Sequence, residues 1–110
     1  MGYRVVITEP AKYQLEMYIA YVLREIKSVQ AARAIRDDAR KTMQRLSDMA
    51  DIHALCENET LAKYGYRRIS FAKHDYFMVY RIDGNLVIID VIYHELQDYE
   101  SVFAQSMSLE

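Results

Sequence analysis

Near Leu61 the spacing of apolar residues changes from helical to strand-like, and that switch restricts the fold more than any other feature of the chain. Two stripes of helical period precede it. Ala11, Leu15, Tyr18 or Ile19, Val22 and Ile26 make the first, which Lys27-Ser28 ends. Ala32, Ile35, Ala39, Met43 and Leu46 make the second, with Arg33, Arg36, Arg40, Lys41 and Arg45 on its other faces. The short connection between them predicts an antiparallel helix hairpin. After the switch come Tyr64 to Ala72, Asp75 to Ile82 and Leu86 to Tyr93. They are separated at Lys73-His74 and at Asp83-Gly84-Asn85, where glycine suits a tight turn. These runs predict three antiparallel strands in a meander.

Ahead of both helices, the β-branched and aromatic run Tyr3 to Ile7 reads as a strand, and Thr8-Glu9-Pro10 supplies the hydroxyl cap and early proline of a helix start. Asp48 to Thr60 has weak periodicity and reads mostly as loop; Glu95 to Met107 leaves room for a short helix. The predicted class is therefore α+β, in the order β-α-α-β-β-β(-α). The helix hairpin packs on one face of a small, mostly antiparallel four-stranded sheet, and the opposite face is left available.

The chain has 110 residues, three glycines, one proline and no linker-like stretch, which fits one domain over residues 1–110, with Leu109-Glu110 set aside as a cloning remnant. No apolar run approaches the roughly 20 residues a membrane span needs. The N-terminus lacks a signal-peptide pattern, so a cytoplasmic location is expected. Cys56 is the single cysteine, which excludes a disulfide framework, and the three histidines lie too far apart for a metal motif. Neither metal nor cofactor is expected. Net charge is -2, but residues 24 to 45 hold seven cations against three anions and residues 61 to 82 hold five against one, while residues 83 to 110 hold six anions and no cation. Such blocks matter if folding joins them on one surface.

The order of elements, with particular residues upon it, resembles the RelE/ParE toxin superfamily. The matching features are the Tyr3-Arg4-Val5-Val6-Ile7 strand, Ala11 and Leu15, Gly65-Tyr66-Arg67, Asp75-Tyr76 followed by Val79-Tyr80-Arg81-Ile82, and Val87 to His94 with Asp98. The resemblance spans residues 3 to 103. It implies a toxin made beside a cognate antitoxin that neutralises it. The target would be DNA gyrase, as in the ParE-like branch, or messenger RNA on the ribosome, cut without metal, as in the RelE-like branch. Phe77 and Glu95 stand where many of the nucleases carry arginine, and the acidic net charge also departs from them, so the gyrase reading is favoured. A small interaction domain without toxicity is the third reading.

Metal-free RNA cleavage needs a proton acceptor, a proton donor and cations for the charge developing on phosphate. Arg67, Arg81 and His94 are the candidates if the chain is a nuclease. Arg67 would be a phosphate clamp or, equally, the ion-pair partner of Asp90. His94, placed by strict alternation on the face of Asp90, could move protons. Arg68, Lys73, Tyr76 and Tyr99 are the candidates for gripping the target. The tyrosines, Tyr80 and Tyr93 included, serve either as stacking platforms or as core anchors. His53 and His74 read as surface residues.

Overall fold

The computed structural model describes residues 2–108, so Leu109 and Glu110, set aside as a remnant, lie outside it. β1 (Arg4–Ile7) leads into α1 (Glu9–Tyr21), whose first turn is capped by the Thr8 hydroxyl accepting from the Ala11 amide. α1 widens into a π-helical turn, Val22–Ile26, and stops at Lys27, which adopts the left-handed conformation at φ 57°. That reversal allows Ser28 to cap α2 (Val29–Met49), completing the hairpin. Widening the last turn rotates Ile26 out of register with the stripe, and its side chain is exposed rather than buried.

The stretch read as loop is more ordered than its periodicity suggested. α2 runs on to Met49, a 3-10 turn covers Ala50–Ile52, and α3 (Glu59–Lys63), capped by Asn58, occupies the point where strand spacing was expected to start. Five residues are too few to display a helical period, so α3 gave no periodic signal. β2 (Arg67–Ser70), β3 (Tyr76–Asp83) and β4 (Leu86–His94) then form the meander, and α4 (Tyr99–Ser108) closes the described chain. The sheet order is β1-β4-β3-β2, with β1 parallel to β4 and the other pairs antiparallel. The class is α+β.

The hairpin buries one sheet face: Ala11, Leu15, Ile19, Ala32, Ile35, Ala39 and Leu46 pack on Ile69, Met78, Tyr80, Val87, Ile89 and Ile92. The second face is not left open. Cys56 and Leu61 from the α3 region and Ala104, Phe103 and Met107 from α4 cover Phe77, Val79, Val91 and Tyr93. Only the quarter nearest β1, around Val6, Leu86 and Ile88, stays half-exposed.

A bulge decides which side chains share a face. Val79 pairs with Val91 but Tyr80 pairs with Ile89, leaving Asp90 as an extra residue in β4. Before the bulge, Val87 and Ile89 face the hairpin; after it, Ile92 does, while Val91 and Tyr93 face α4. Strict alternation therefore fails at one residue, and every later position in β4 changes sides.

Candidate functional site

His94 is the residue most affected. The bulge carries it to the hairpin side, away from Asp90, where its ring meets that of Tyr76 edge-on at 5.1 Å. Tyr76 is itself 9% exposed, set against Tyr18 and Phe71. His94 Nδ1 accepts the Leu96 amide, and the Tyr18 hydroxyl donates to the Ile92 carbonyl and to Gln97. Burial pushes the Tyr18 hydroxyl up to about 12, so it donates hydrogen bonds and holds its proton at neutral pH.

Asp90 does not pair with Arg67. Lifted by the bulge, its carboxylate accepts the Tyr66 hydroxyl at 2.8 Å and Arg81 Nε at 3.2 Å. Arg81 thus stands on the second face, beside the half-exposed Val6 and Ile88. Arg67 shares the side of Ile69 and donates to the main-chain oxygen of His53. Arg68, on the other side, lies 3.6 Å above the Phe77 ring and pairs with Glu95 at 2.6 Å and Glu100 at 3.0 Å, pinning the start of α4. Tyr99 stacks flat on Tyr93 with centroids 4.6 Å apart. Lys73 is exposed on the β2–β3 turn.

Arg67, Arg81 and His94 are therefore not brought together. Arg67 lies opposite Tyr80 and His94 opposite Tyr76. Four residues of β3 separate those positions, roughly 13 Å, while Arg81 projects from the other face. Tyr76 and His94 do meet, as do Arg68 and the first turn of α4. Cys56 is buried, and burial together with the nearby Glu100 carboxylate pushes its thiol up to about 12, which removes it as a nucleophile. No cluster of three or more His, Cys, Asp or Glu side chains suited to a metal occurs among the described residues.

Two features were missed in the sequence. His74 is no free surface residue: its Nδ1 contacts Asp38 at 2.7 Å, and the same carboxylate accepts the Ala72 and Lys73 amides. Adjacent Asp37 and Asp38 look alike in sequence, and only the gap of 3 between Ile35 and Asp38 marked the inward one. The second is a ridge on α1, where Tyr13, Met17 and Tyr21 recur every four residues at 52–66% exposure. With Gln14, Tyr18, Arg24 and Tyr99 they line a groove of about 360 Å³.

The family model of the ParE toxin of the type II toxin-antitoxin system parDE matches residues 5–99. The chain belongs to the ParE toxin family. Among solved structures, this ParE-family toxin is similar to a chain of the chromosomal ParDE toxin-antitoxin system from P. aeruginosa. The TM-score is 0.70 at 18% identity, covering 84% of this chain and 96% of that one, a likeness of fold. No curated protein matches. No helix of the described residues is long and apolar enough to cross a membrane.

Proposed function

We propose that this ParE-family toxin inhibits growth in the cytoplasm by gripping a protein target, DNA gyrase, and not by cutting RNA. The scatter of Arg67, Arg81 and His94 over two faces and both ends of the sheet carries the reading. Transition-state stabilisation requires proton-transfer and cationic groups converging on one phosphate within hydrogen-bond reach, and these do not converge. Gripping a protein asks only for a complementary surface. Cleavage-complex formation by purified gyrase is the expected activity, and messenger RNA in a translating extract should remain whole. His94→Gln should change growth inhibition by no more than about twofold, whereas loss of a catalytic acid or base lowers rate by about 100- to 10,000-fold. A drop of that size, with RNA cleavage by the parent protein, would establish the nuclease reading instead.

A cognate antitoxin would hold the toxin inactive by laying an apolar segment along the helix hairpin. The Tyr13-Met17-Tyr21 ridge supports this placement, since large apolar side chains that recur on one exposed helix face mark a surface made to be covered. Met17→Glu and Tyr21→Glu leave the core untouched and should each weaken antitoxin binding by about 30-fold or more, measured by calorimetry. Unchanged affinity in both would place the antitoxin elsewhere.

A further inference from the structure

The three imidazoles of the chain are held in three different ways. His94 Nδ1 accepts the Leu96 amide, so the lone pair of its neutral ring is already used and the proton sits on Nε2. His53 Nε2 is sealed from water and has no hydrogen-bond partner. His74 is the reverse of His94. Its Nδ1 lies 2.7 Å from Asp38 Oδ2, which also accepts the Lys73 amide at 2.9 Å, while Oδ1 accepts the Ala72 amide at 3.1 Å. Burial alone would raise the Asp38 carboxyl, but these donors hold it below its ordinary value, so it is ionised at neutral pH. An ionised carboxylate can only accept, and the ring must donate to it from Nδ1. The lone pair of the neutral ring is thereby left on Nε2.

That nitrogen is not spent. No hydrogen bond from the described residues reaches it, and the His74 side chain is 26% exposed. With Ala34, Asp37, Lys41, Ala72 and Lys73 it lines a cavity of about 100 Å³, enough for several water molecules and hence for the three oxygens of a phosphoryl group. The cavity wall carries cations from two elements, Lys41 on α2 and Lys73 on the β2–β3 turn. Asp37 shares that wall, but Arg40 and Lys41 offset its charge. Lys73 is exposed and pairs with no carboxylate among the described residues. A carboxylate thus stands behind the ring, a lone pair in front of it, and an uncommitted cation beside the opening. Those are the parts a histidine nucleophile uses to take up an anionic group and hold it.

We infer that His74 is a site of covalent phosphorylation, the phosphoryl group being added at Nε2. The Nε2 lone pair forms a bond to phosphorus as the bond from phosphorus to the leaving group breaks, and the leaving group departs with that electron pair. A nucleoside triphosphate releases the nucleoside diphosphate; phosphoramidate releases ammonia. No proton has to move. The ring keeps its Nδ1 proton and gains a positive charge, which the Asp38 carboxylate offsets at 2.7 Å. The new oxygens come to rest in the cavity with Lys41 and Lys73. The site is independent of gyrase and of the antitoxin.

Phosphoramidate incubated with the whole protein at neutral pH is the test. One phosphoryl group should add, read by intact mass, and the ring resonances of His74 should shift while those of His53 and His94 stay. His74→Gln should abolish the incorporation. Asp38→Asn keeps an acceptor oxygen without the charge and should slow it by about 10- to 100-fold, the value of a charged hydrogen bond. Lys73→Gln, at an exposed position, should slow it by about fivefold. The three histidines compete in one tube, so the unaltered protein is its own control and this arm does not depend on any variant folding. Absence of incorporation, label arriving first on His53 or His94, or equal rates at all three would each overturn the site. So would an unchanged rate in both Lys73→Gln and a folded Asp38→Asn, which would make His74 an ordinary exposed imidazole.

Discussion

Asp38→Ala is expected to destabilise the protein by about 3 kcal/mol, because it leaves two amides and an imidazole without the carboxylate that now receives them. Asp38 is 4% exposed on α2, and it ties Ala72, Lys73 and His74, the turn between β2 and β3, to the helix hairpin. In a domain of this size the melting temperature should fall by about 10 °C or more. Asp38→Asn, which keeps one acceptor oxygen, should lose less. Burial alone would raise the Asp38 carboxyl, and the hydrogen bonds from His74, Lys73 and Ala72 outweigh it, leaving its pKa below the usual value. A pKa lower in the folded than in the unfolded chain means stabilisation that is complete above about pH 4 and fades as pH falls through the folded value. Thermal melts between neutral and acid pH should therefore converge for the parent and Asp38→Asn. Parallel curves at all pH values would show that the carboxylate charge contributes nothing.

Phe77→Ala should cost about 4 kcal/mol, in the range for deleting a buried aromatic side chain. Phe77 is 2% exposed between the sheet and α4, and its ring supports the Arg68 guanidinium that holds Glu95 and Glu100. The loss has a local signature as well. Amides of α4 should exchange with solvent faster than those of α1, since the fastening of α4 depends on Arg68 and that of α1 does not. Val6→Ala, on the uncovered quarter of the same face, should cost under about 1 kcal/mol. Denaturant unfolding of the two variants side by side tests whether α4 seals a second core; equal losses would deny it.

What could be read from the residues follows from how far each signal extends. The hairpin and the meander declare themselves because stripes such as Ala32-Ile35-Ala39-Leu46 repeat over about four turns and the β4 run extends over nine residues. α3 escaped because one turn and a half has no period, and the cover on the second face escaped because Phe77, Val79, Val91 and Tyr93 are apolar whether a helix or a partner lies over them. The placement of His94 failed for a sharper reason. Counting by twos from Asp90 is valid only in an unbroken ladder, and a bulge leaves no mark when the inserted residue is a polar side chain in a strand already expected to show one. Arg67 and Arg81 were legible as charged positions, but their partners, His53 and Asp90, depended on that same count and on a loop with no period at all.

The sheet order also has a consequence for the time at which this toxin comes into being. β4 is one of the two inner strands, paired to both β1 and β3, and β1 meets it across a separation of 82 residues, Arg4 against Leu86. During synthesis at about 5–20 residues per second, β1 waits roughly 4 to 16 s for its partner. Helices α1 and α2 can pair earlier, but they have no sheet to rest on until the last strand leaves the ribosome. The folded toxin is thus a product of the finished chain alone, which leaves the cell an interval in which a protein able to harm it has been largely made but does not yet exist in its active shape.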